Sequence, residues 1–250
     1  MMPSHRIIDE RANEAVSAAG ELANIWVSEQ TRLSSPSLTL RAWSPQEWLE
    51  ATAAGWVQHA SAVMDAAART TTDALSVVDD PEQPSPIPTA PLRAFAASAV
   101  STMMTVRLAQ AVARLAGDVT HVHEIPADLT PGQAAVLPHA VEQTAKDFEV
   151  PVDQLLLWCA LREIATARLF AAQPWLNKAL SDAVAGYAAS LRIDKDKIAE
   201  AVQSLDPTNI AAAQEAMASG ELQPKPQGSG LLHAARVETL TTLITTWVDV

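Results

Sequence analysis

The stretch "LLLWCALREIATARLFAAQPWLNKAL", residues 155–180, is an apolar run of Leu and Ala interrupted by Arg162, Glu163 and Thr166. It reads as a helix over 152–170, preceded by Pro151 and carrying Asp153 in its first turn, where the helix dipole favours an anion. A second helix follows over 175–190. Side chains three and four apart share a helical face, so Leu155, Trp158, Arg162, Thr166 and Leu169 form one stripe, with Glu163 about 100° around from Arg162. A guanidinium and a carboxylate in so apolar a setting need partners, because an unpaired buried charge is costly.

The rest of the chain sets the frame for this helix. Only 8 Gly in 250 residues, 48% hydrophobic content and abundant Ala and Leu predict a soluble, mainly α fold with at most a minor β component. With 17 Lys and Arg against 29 Asp and Glu, the net charge is −12, which repels phosphate backbones and anionic lipid. No nucleic-acid or membrane partner is expected. The single cysteine, Cys159, excludes an internal disulfide and a thiolate zinc cage. The charged "MMPSHRIIDERANEA" lacks the apolar core of a secretory signal, and no apolar stretch is of spanning length. The expected compartment is the cytoplasm.

Helices are expected over residues 6–28 and 45–78. The second opens at "SPQEW", with Ser44 as cap, Pro45 in the first turn and Glu47 three residues after the cap. Trp48, Trp56 and Met64 recur along it at near-helical spacing and read as core. "DDPEQPSPIPTAP", residues 79–91, has five prolines and predicts an extended linker between an N-terminal helical region, 1–78, and a larger core, 92–250. Beyond it a helix is expected over 92–116, a loop holding one short strand in "DVTHVHEIPADLTPGQ", and a helix over 131–149. Further helices are expected over 194–204, 207–219 and 231–249, with "QPKPQGSG" as a flexible connector before the last.

The frame "REIAT" has the spacing of the H-E-x-x-H zinc motif. There, two histidines one turn apart hold the metal and the glutamate beside the first acts as general base on its water. The flanks carry a resemblance: Leu157, Trp158, Ala160, Leu161, Glu163, Phe170, Pro174, Trp175 and Leu176 are similar in identity and order to the zinc helix of a bacterial family of zincin-like zinc metallopeptidases. In "RVETLTTLITTWVD", Arg236, Leu240, Leu243, Trp247, Val248 and Asp249 resemble the helix that carries that family's third ligand, a glutamate. The resemblance implies a zincin-like helical core and zinc-dependent hydrolysis. It also places Arg162, Thr166 and Thr245 at the three ligand positions and Thr246 where the family has glycine, leaving only Glu163, the vestigial general base, unchanged. A guanidinium has no lone pair to give and repels a dication, and a threonine hydroxyl is a weak donor, so no zinc is expected there.

Other chemistry-bearing residues read more plainly. His121 and His123 in "HVHE" would stand on one side of a short strand, a spacing that can chelate; with no third ligand specified they read as solvated loop histidines. His59, His139 and His233 read as isolated surface or capped histidines, Cys159 as a buried inert thiol, and Ser229 lacks the strand a nucleophile elbow needs. Three functions compete: a pseudoenzyme acting as a binding or structural protein, an active zinc hydrolase using non-standard ligands such as His121 and His123, and an unrelated helical interaction module. The apolar end "LITTWV" calls for a partner subunit or for the chain's own core.

Overall fold

A computed structural model describes residues 8–33, 38–75, 89–192 and 225–249. Seven α-helices dominate these residues: α1 (Glu10–Gln30), α2 (Pro45–Leu75), α3 (Thr89–Asp118), α4 (Pro138–Asp147), α5 (Val152–Ala172), α6 (Trp175–Ser190) and α7 (Gly230–Asp249). Four short strands complete them: β1 (Leu40–Ala42), β2 (Ala134–Val136), β3 (Leu191–Arg192) and β4 (Lys225–Pro226). The fold is mainly α. No described helix is long and apolar enough to cross a membrane.

The chain divides into two compact units, one of Met1–His59, Leu108–Asp182 and Arg236–Val250, the other of Ala60–Arg107 and Ala183–Ala235. In the first, α5 is the axis, packed against α1, α4, β2 and a 3-10 turn at Val122–Glu124. From Glu163 to Phe170 every α5 residue is buried, so this half of the helix is enclosed all round and its polar members have no route to solvent. Val16, Ala23 and Val27 of α1 meet Leu156, Cys159, Ala160 and Ile164 of α5 in one core. Trp43 and Trp48 join Val112, Ala116, Val119 and Leu137 in another. The start of α2 is the capping box that its sequence announces: Ser44 N donates to Glu47 Oε2 (2.7 Å) and Glu47 N to Ser44 Oγ (3.2 Å).

β1 and β2 form a parallel pair in the register Leu40 with Ala134 and Ala42 with Val136. Gly20 lets α1 lie directly on β1, since a Cβ there would come within 2.5 Å of Leu40 Cβ. In the second unit β3 pairs antiparallel with β4, and Thr70 Oγ1 donates to Leu191 O at 3.2 Å.

Four expectations need correction. The helix expected over 131–149 is a strand followed by α4, because Ala134–Val136 is held extended by β1 and Pro138 starts the helix at its first turn. The linker expected through residue 91 gives way to α3 at Thr89, with Pro91 inside the first turn, where a missing N–H costs nothing. The connector "QPKPQGSG" holds strand β4. His121 and His123 do not share a strand face: His121 bridges Val136, His123 lies in the 3-10 turn, and both are buried rather than solvated. The helices expected over 194–204 and 207–219, and most of 79–91, lie outside the described residues.

Candidate functional site

Glu163 is 0% exposed, and three donors occupy its carboxylate. Oε2 accepts the backbone N–H of His123 (2.8 Å), while Oε1 accepts His123 Nδ1–H and the N–H of Ala135, each at 3.0 Å. Glu163 thus ties the 3-10 turn and β2 to the central helix. His123 stacks on Phe170 (5.9 Å between centroids) and turns Nε2 to Asp128 Oδ1 at 3.5 Å, an ion-pair contact without a hydrogen bond.

Electrostatics make this an ionised pair. Burial works to lower the His123 pKa, but the Glu163 charge, supported by Asp128, outweighs it and pushes it up to about 9. For Glu163 burial works upward, and the charge and hydrogen bonds of His123 prevail, holding the carboxyl below its usual range.

His121 has the opposite character. Burial lowers its pKa against the pull of Glu163 and Glu124, so the ring is neutral near pH 7. Thr120 Oγ1 donates to Glu124 Oε2 (2.9 Å) and therefore accepts from His121 Nδ1–H (2.9 Å). That tautomer leaves His121 Nε2 as a buried acceptor without a partner, with Trp158 edge-on to the ring at 6.3 Å.

At the ligand positions implied by the resemblance, Arg162 is ion-paired with Asp249 and its guanidinium lies 4.8 Å from the Trp158 ring centroid. The two helices that carry those positions therefore meet. Leu169, Phe170 and Leu176 pack with Ile244, and Val248 packs on the α5 core. Thr166 Oγ1 donates to Arg162 O (2.8 Å) and Thr245 Oγ1 to Thr241 O (3.0 Å), so both hydroxyls bond back to their own helices. Among the described residues no three His, Cys, Asp or Glu side chains are placed to hold a metal ion.

The remaining candidates stand apart. Cys159 is buried, and its burial pushes the thiol up to about 11, which keeps it protonated and inert. His59 bonds Gly55 O (2.9 Å) and Ser181 Oγ (3.3 Å) and is structurally engaged. Ser229 is exposed at the start of α7. Sequence reasoning missed Asp249, Asp128, Thr120 and Glu124 as partners. It also missed Arg168, a buried guanidinium that donates to Ser28 Oγ (2.8 Å) and to the Asn24 side chain. Only Glu124 had a local signal, its place in "HVHE".

No curated protein and no solved structure matches the chain. The sequence model of a family described as zincin-like metallopeptidase matches residues 2–250, essentially the whole length, which sets aside an unrelated helical module. The chain belongs to the zincin-like metallopeptidase family.

Proposed function

We propose that this family member holds no catalytic zinc at the inherited positions and serves as a binding or structural protein rather than a peptidase. The observation that carries the reading is the Arg162–Asp249 ion pair, which fixes a positive charge, with no lone pair to offer, at the first ligand position. The other two positions supply only threonine hydroxyls committed to helix carbonyls. The residues present do not fit a zinc ion, which requires about three strong His or carboxylate donors. Glu163 supports the same conclusion, because a general base must reach a substrate-side proton, and this carboxylate is enclosed and fully hydrogen-bonded.

Thermal unfolding with added zinc and with a chelator tests the proposal. A metal held by the folded chain stabilises it by mass action, so a resident zinc would make the melting temperature fall on chelation. The expected result is superimposable melts; a chelator-dependent drop would instead support hydrolysis through non-standard ligands.

A further inference from the structure

Helix α7 carries apolar side chains on two faces. Ile244 is 1% exposed against Leu169, Phe170 and Leu176, so this face is fully used within the unit. Leu243 and Trp247, one turn apart, are 53% and 37% exposed. They line a groove of about 1270 Å³ that also includes Leu176 and the 55% exposed Trp175. Two indoles and a leucine left in water in one groove mark an interaction surface.

The groove has two charged lining residues, Arg32 just beyond α1 and Glu238 on α7. Both are exposed, and neither has an ion-pair partner among the described residues. One positive and one negative group beside an apolar centre is a pattern that complements itself under a two-fold rotation. In such a pairing Arg32 of one copy would meet Glu238 of the other, the reciprocal contact would follow by symmetry, and the indoles would pack around the axis. An anionic membrane is disfavoured by the net charge of −12. We infer that this groove is the interface of a homodimer of the chain. The inference does not depend on the absence of zinc, and removing or adding metal leaves it unchanged.

Sedimentation velocity of the full chain from low to high micromolar concentration, with circular dichroism as a control for folding, tests it. The expected species has twice the 26.6 kDa mass of one chain. Arg32→Glu and Glu238→Arg each place like charges in both symmetric contacts, and each should weaken dimerisation about ten-fold. The two together should restore it to near the parent value, because the swapped charges again face opposites. Leu243→Gln should give a folded monomer. A parent chain that stays monomeric throughout, including one whose tryptophan fluorescence responds instead to an added peptide or acyl chain, overturns the inference. So does a dimer that Leu243→Gln leaves intact or that the double charge swap fails to rescue.

Discussion

The Arg162 guanidinium on α5 is ion-paired with the Asp249 carboxylate on α7, joining the first of the ligand positions that the sequence resemblance implies to the end of the helix on which it implies the third. The side chains are 18% and 54% exposed, so solvent screens the pair and its contribution should be modest. In a double-mutant cycle of Arg162→Met and Asp249→Asn, urea unfolding should give a coupling energy of about 0.5–1 kcal/mol. Each single variant should remain folded.

Glu163 should behave quite differently. Replacing it with Gln puts an amide N–H₂ against His123 or Ala135 donors and strips the buried imidazolium of its nearest counter-ion. Breaking one side of a buried pair costs about 3–5 kcal/mol, several times the surface pair. A catalytic general base would show the reverse pattern, with activity lost and the fold little affected. Urea unfolding of Glu163→Gln beside Arg162→Met therefore separates a structural glutamate from a catalytic one.

The buried network predicts a stability maximum in pH. The His123 pKa is raised from 6.5 to about 9, so its contribution is complete below 6.5 and is lost progressively as pH rises from there through 9. The Glu163 pKa is lowered from 4.5, so its contribution is present above 4.5 and is lost in more acidic solution. The His121 pKa is lowered from 6.5 by burial, so the folded chain resists protonation there and stability declines as pH falls below 6.5. Unfolding free energy should be greatest near pH 6.5, where the His123 contribution is still present and the His121 penalty has not yet set in, and fall on both sides. Denaturant titrations on both sides of this maximum, up through pH 9 and down below 4.5, check the shape.

Helices α5 and α7 pack against each other, so under the proposed reading ligands at positions 162, 166 and 245 should be restorable. Arg162→His, Thr166→His and Thr245→Glu place two imidazoles one turn apart on α5 and a carboxylate on α7, which faces it. The triple variant loses the Asp249 ion pair and should be slightly less stable than the parent without metal. Added zinc should raise its melting temperature and leave the parent unchanged. A folded variant indifferent to zinc would mean that positions 162, 166 and 245 do not converge.

Much of this was legible in the sequence because the signals are local. The capping box at Ser44 and Glu47, the proline before α5 and the apolar period that buries Trp48 each lie within a few residues of one another. The pair of strands was not legible. "LRA" and "AAV" are three residues long and carry no alternation, and each is extended because the other lies beside it. For the same reason His121 and His123 read as solvated. Their burial depends on β2 and on Glu163, 40 residues away from His123, and only the folded chain brings these together. Arg162 could be recognised as needing a carboxylate, but many acidic residues were available, and Asp249 was selected by the docking of α7 on α5.

Elemental analysis of the purified, dialysed chain tests the central claim most directly. With a guanidinium and two helix-bonded hydroxyls at the ligand positions that the resemblance implies, the protein should carry well under one equivalent of zinc. One equivalent that survives dialysis would contradict the account and turn attention to the unpartnered Nε2 of His121 as the first ligand to examine.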